Sequence, residues 1–103
     1  MMMPGNMQGM MKKVQKMQKQ MQKDQEELNQ TEFAGKASND EVVVKFTGDK
    51  KMQDIAIKAE AIDPDDPDML QDLIIMAVND AVDQIDKKTQ STLGKYSQGM
   101  PRM

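Results

Sequence analysis

The 103-residue chain has no cysteine, no histidine and no tryptophan, and its aromatic residues are limited to Phe33, Phe46 and Tyr96. Without cysteine there is no disulfide framework and no thiolate metal site. Without histidine or cysteine the commonest general base, metal ligand and thiol nucleophile are all missing. The remaining Asp, Glu, Lys, Ser, Thr and Tyr form no catalytic constellation, so a non-enzymatic protein without cofactor is expected. No apolar run approaches the roughly 20 residues that span a bilayer. The opening Met1-Met2-Met3-Pro4-Gly5 lacks the charged and apolar regions of a signal peptide, which points to a cytoplasmic protein. The length predicts one domain over residues 1–103, with 1–6 and 94–103 flexible. Such a domain buries about 60–70% of its unfolded surface, and here its core must come from aliphatic side chains and methionine.

What the chain has instead is segregated charge. It carries 14 basic and 17 acidic residues, for a net charge of −3. Yet Lys12, Lys13, Lys16, Lys19 and Lys23 all precede the first acid, Asp24. From Glu60 to Asp86 there are nine acids and no base, and from Lys87 onward Lys87, Lys88, Lys95 and Arg102 occur without an acid. Charge sorted into blocks in this way commonly faces a partner. The first block is also phased. Met7, Met10, Val14, Met17, Met21 and Leu28 fall on the a and d positions of a heptad, which only Asp24 interrupts. Lys12 and Lys19 take f, Lys16 and Lys23 take c, and Lys13 takes g, so the helix is apolar on one side and cationic on the other.

The Gln, Lys, Met and Glu content from Asn6 to Gln30 favours helix, with Asn6 as N-cap. A helix of about 24 residues is roughly 36 Å long and outreaches a small domain. Alternation follows. Thr31 to Ala37 reads as a short strand, and Ser38-Asn39-Asp40 as a turn. Glu41 to Thr47 reads as a strand with Val42, Val44 and Phe46 inward and Val43 on the other face. Gly48-Asp49-Lys50-Lys51 is the next turn, and Met52 to Ala59 a third strand with Ile55 and Ile57 inward. Asp66 as N-cap, Pro67 at N1 and Asp68 in the first turn open a second helix. Its stripe, Leu70, Leu73, Ile74, Ala77, Val78, Ala81, Val82 and Ile85, has i, i+3, i+4, i+7 spacing. It runs to about Thr92, with Gly94 as a stop and Gly99-Met100-Pro101 in a tail. The expected fold is α+β, an α-β-β-β-α subunit with a three-stranded antiparallel sheet and both helices on one face.

The run Leu70-Gln71-Asp72-Leu73-Ile74-Ile75-Met76-Ala77-Val78-Asn79-Asp80-Ala81, following Ile62-Asp63-Pro64, resembles the signature helix of the YbaB/EbfC family of bacterial nucleoid-associated proteins. Met7-Gln8-Gly9-Met10-Met11-Lys12-Lys13 and Met17-Gln18-Lys19 are similar to that family's first helix. The resemblance covers nearly the whole chain. It implies a dimer formed through the sheet region, with long helices projecting like the arms of tweezers to bind duplex DNA in the nucleoid. One departure stands out: Ala37-Ser38-Asn39-Asp40-Glu41 occupies a turn that is often glycine-rich in the family.

The candidate DNA-binding residues are therefore Lys12, Lys13, Lys16, Lys19 and Lys23, with Lys87, Lys88 and Lys95 second. They would neutralise phosphates, aided by Gln15, Gln18, Gln20 and Gln22. Taken alone, these lysines also fit a solvated face. Met10, Val14, Met17, Met21 and Val43 are the candidate homodimer interface, although the methionine stripe also fits a core. An adaptor that docks a partner through that stripe is the alternative function. A peripheral membrane helix is weaker, since the stripe is narrow and lacks Trp and Phe. Asp63, Asp65, Asp66 and Asp68 offer oxygen ligands, but an EF-hand counted from Asp63 would need Gly and an acid where Asp68 and Ile74 stand. No metal site is assigned.

Overall fold

The computed structural model describes the backbone of residues 4–97 and the side chains of residues 7–96. Its element order is α1 (Pro4–Gln30), β1 (Glu32–Lys36), β2 (Val42–Thr47), β3 (Met52–Ile57) and α2 (Pro67–Ser97). The strands form an antiparallel sheet in the order β1-β2-β3. Single 3-10 turns at Ser38–Asp40 and Ala59–Ala61 link the elements.

Local chemistry accounts for most boundaries. The Asp66 carboxylate accepts the Met69 N–H at 3.2 Å, so Asp66 caps α2 as expected, with Pro67 at the first helical position. Asn39 and Asp40 adopt φ of 56° and 57°. Asn and Asp enter that left-handed region more readily than other non-glycine residues, so this pair makes the β1–β2 turn without glycine. The α1 helix begins at Pro4, two residues before the expected Asn6 cap. The α2 helix continues through Gly94 to Ser97 instead of stopping near Thr92. The tail expected from Gly99 onward, and Arg102, lie outside the described residues.

One face of the sheet carries the core. Val42, Val44 and Phe46 lie with Leu73, Ala77, Ala81 and Ile85 of α2, and Ala37 and Ala61 complete the cluster. The close fit of α2 on β1 depends on Gly35, where a Cβ would stand 2.1 Å from the Ala77 carbonyl oxygen. Side chains of α2 also close the outer edge of β1. Lys36 N–H donates to Asp80 Oδ2 at 2.9 Å, and Gln84 Nε2 donates to the Ala34 carbonyl at 2.8 Å. Asp80 thus secures the sheet edge, while Asn79 is exposed.

The expectation that both helices cover the sheet is wrong. The α2 helix packs on β1 and β2, whereas α1 meets β2 only marginally and otherwise runs beside α2. Among the described residues of α1, Leu28 and Asp24 are buried. Met7, Met10, Val14 and Met17 of its heptad stripe are exposed. Leu28 seats against the β2–β3 turn, where a Cβ on Gly48 would lie 1.8 Å from the Leu28 carbonyl oxygen. Because α2 lies over β1 and β2, β3 is left uncovered. Ile55 and Ile57 pair with Val44 and Val42 and share their face, yet Ile55 is 39% exposed and Met52 44%. A register shift between Lys45 and Phe46 sets Met52 opposite Phe46, bringing it to the same face despite its three-residue spacing from Ile55.

Gly35→Ala and Gly48→Ala should each destabilise the fold by about 1–3 kcal/mol through overpacking, read as a lower urea midpoint at unchanged slope. Gly94→Ala, whose Cβ would meet nothing within 4 Å, should instead raise stability by about 0.5–1 kcal/mol.

Candidate nucleic-acid interface

Twenty-seven residues of α1 span about 40 Å and thirty-one of α2 about 46 Å, in a molecule measuring 77 × 25 × 16 Å. The two helices run antiparallel where they meet. Lys88 and Thr92 lie with Asp24, Glu27, Leu28 and Thr31 around a groove of about 370 Å³. Leu93 lies with Gln18, Met21, Gln22 and Gln25 around another of about 350 Å³. N-terminal to this meeting region, every described residue of α1 from Met7 to Gln20 is exposed. The first helix is thus an arm anchored at its C-terminal end.

At about 100° per residue, Lys12, Lys16, Lys19 and Lys23 fall within a sector of roughly 60°, with Lys13 at its flank. Met10, Val14, Met17 and Met21 lie on the opposite side. Among the described residues, none of the five arm lysines makes an ion pair. The second-rank lysines differ. Lys87 pairs with Asp83 at 3.2 Å, Lys95 pairs with Asp24 at 3.3 Å, and Lys88 lines the groove that holds Asp24 and Glu27. Two acids of α2 are engaged near the sheet: Asp80 holds the β1 edge, and Asp86 meets Lys50 at 3.1 Å. Among the described residues, no acid of α2 pairs with an arm lysine.

The proposed interface residues do not form one surface. Met10, Val14 and Met17 are exposed along the arm, while Met21 is half-buried against α2. Val43 stands across from Lys36 and Ala56 on the sheet face turned away from α2. Exposed apolar residues outside the arm were missed: Met52 and Ile55 on β3, Ile62 after it and Ile75 on α2. The alternation in β3 gave no hint of this, because it looks the same whether or not a helix covers the strand.

Sequence reasoning also missed the contact between the helices. Asp24 is 9% exposed and Tyr96 8%. The Tyr96 hydroxyl donates to Asp24 Oδ2, which also pairs with Lys95, and Gln20 Nε2 donates to Oδ1 at 3.0 Å. The Tyr96 hydrogen bond, with help from Gln20 and Lys95, holds the Asp24 carboxyl below the usual range against the opposing effect of burial. The hydrogen bond to Asp24 raises the Tyr96 phenol, as burial also does, and Asp24 likewise raises Lys95. The available signals were the single break in the heptad and the lone tyrosine.

A family model described as the YbaB/EbfC DNA-binding family matches residues 2–100. The chain belongs to the YbaB/EbfC DNA-binding family. It is 69% identical over 102 residues to a nucleoid-associated protein of Ligilactobacillus salivarius, covering 98% of each chain. It is 63% identical over 97 residues to one of Enterococcus faecalis, covering 94% of this chain and 93% of the other. The crystal structure of an uncharacterized Helicobacter pylori protein has the same fold, with a TM-score of 0.72 at 20% identity, covering 96% of this chain and all of that one. These relatives are not named as enzymes, and among the described residues no helix is long and apolar enough to cross a membrane. In this YbaB/EbfC chain the exposed cationic face of α1 is the candidate DNA contact.

The shifts at Asp24 and Tyr96 give opposite pH limits. With its pKa lowered, Asp24 contributes stability above its unfolded pKa of about 4, lost as pH falls through the folded value. With theirs raised, Tyr96 and Lys95 contribute below about pH 10, and this is lost as pH rises through their folded values. Tyr96 is the sole tyrosine, so near-ultraviolet absorbance reads it alone. Its titration midpoint should lie above about 10 in the wild type and fall toward that value in Asp24→Asn. Equal midpoints would mean that the contact does not form.

Proposed function

We propose that this chain is a nucleoid-associated protein that binds duplex DNA as a homodimer. Lys12, Lys13, Lys16, Lys19 and Lys23 contact phosphates along a projecting arm. The observation that carries this reading is the unpaired cationic face of α1, free of acids and about 16 Å long from Lys12 to Lys23. Each ammonium that replaces counterions makes affinity fall with salt, and five per arm give a log–log slope of roughly −4 to −5. Lys87 and Lys95, already paired with acids, contribute less. The names of the relatives at 69% and 63% identity support the nucleoid assignment. Fluorescence anisotropy with a generic duplex across a salt series tests it. Saturable, salt-sensitive binding is expected, with Lys16→Glu plus Lys19→Glu weakening it by at least about tenfold. No binding at low salt by the folded protein would overturn the reading.

The homodimer reading is supported by the uncovered flank of the α2–sheet layer. Met52 and Ile55 are exposed on the core face of β3, and Ile75 is exposed on α2. Among the described residues no hydrogen bond from another element reaches the outer edge of β3. A second copy meeting this flank would bury the apolar residues and pair the strand edge. Ile55→Asp should convert a dimer into a monomer in sedimentation equilibrium while leaving the circular dichroism spectrum unchanged; a persistent dimer would move the interface elsewhere, to the Met10–Val14–Met17–Met21 stripe or Val43. The exposed stripe also favours a second reading, an adaptor that docks a partner helix there. An adaptor's docking would survive the double lysine reversal.

A further inference from the structure

We infer that Asp24 and Tyr96 are positioning residues for DNA binding, fixing the direction in which the α1 lysines point. This rests on the DNA-binding reading above and adds to it a requirement on geometry.

The buried side chains of the arm meet the rest of the chain at two places. Leu28 seats against the β2–β3 turn, and Asp24 meets the end of α2. Asp24 occupies a heptad position where the pattern calls for an apolar residue. A leucine there would pack without direction and allow helices to rotate or slide past one another. A carboxylate does not. Its Oδ2 takes the Tyr96 hydroxyl and the Lys95 ammonium, at 3.3 Å, and its Oδ1 takes Gln20 from the preceding turn of its own helix. Lys95 Nζ also lies 5.1 Å from the centre of the Tyr96 ring, so the ammonium contacts both partners of the hydrogen bond. Directional polar contacts at one site of an apolar helix pair select register at some expense in stability. Here they select the rotation of α1 about its axis, and hence where its lysine sector points.

The lever is long. Lys12 lies twelve residues from Asp24, about 18 Å along the helix. A swing of about 10° at Asp24 displaces Lys12 by roughly 3 Å, comparable with the axial step of about 3.4 Å between phosphates of one DNA strand. Small freedom at the anchor therefore becomes loss of phosphate register at the tip.

Charge and geometry make opposite predictions for one variant. Asp24→Asn removes an acid and frees Lys95, so electrostatics alone gives tighter binding and a steeper salt dependence. Positioning gives weaker binding. The experiment is anisotropy with a generic duplex across a salt series for the wild type, Asp24→Asn, Tyr96→Phe and the double variant. Glu26→Gln, which removes an exposed acid from the same helix, serves as the charge control. Circular dichroism and sedimentation check that fold and assembly are kept. Expected are a several-fold loss for Asp24→Asn, a similar loss for Tyr96→Phe at unchanged charge, no further loss in the double variant, and slightly tighter binding for Glu26→Gln. If Asp24→Asn does not fold, Tyr96→Phe decides alone. Tighter binding by Asp24→Asn, or wild-type affinity in Tyr96→Phe, overturns the inference and leaves DNA binding standing. A wild type that does not bind overturns both.

Discussion

The approach of α2 to β1 at Gly35 governs the rest of the molecule. With few aromatic side chains available, the core relies on close contact between small and branched residues, and Ala77 and Ala81 bring the helix backbone almost onto the strand. That contact sets α2 over β1 and β2, within reach of the outer β1 edge through Asp80 and Gln84. It also leaves β3 bare, since a single helix cannot cover three strands. The capped edge and the open apolar flank are therefore two results of one packing choice.

The same choice frees α1 from any duty in the core. A helix whose described residues are buried only at Leu28 and Asp24 is held by the propensity of its Gln, Lys, Met and Glu residues and by its contact with the end of α2. Its distance from the sheet also lets a net acidic protein display a cationic helix face. Asp80 and Asp86 of α2 are engaged at the sheet, while the arm lysines make no ion pair among the described residues and α1 is exposed from Met7 to Gln20. At ordinary ionic strength, charges separated by more than about 8–10 Å are largely screened from each other, so overall charge says little about the field at the tip of the arm.

Much of the fold was legible in the sequence. Alternation at Val42, Val44 and Phe46, the Asp66-Pro67 helix start and the Leu73–Ile85 periodicity each reflect local constraints, and each appears where expected. The cationic face of α1 was equally plain, since heptad phase depends only on helix geometry. Relations between elements were less accessible. The apolar phase of α1 does not reveal whether its own sheet or another chain will cover it. Gly94 reads as a stop because glycine weakens an isolated helix, yet Tyr96 holds the following turn against α1. Asp24 looked like an error in a repeat because its partner lies 72 residues away. Proximity of that kind is a product of the fold.

The capped edge of β1 also bears on assembly. A sheet with two open edges can add strands indefinitely and is a template for fibres. Here Asp80 and Gln84 take two of the outward backbone groups of β1, the Lys36 N–H and the Ala34 carbonyl, so a strand adding there would have to displace them. The two edges are therefore unequal: a carboxylate and an amide on one helix oppose strand addition at β1, while β3 carries no such guard among the described residues.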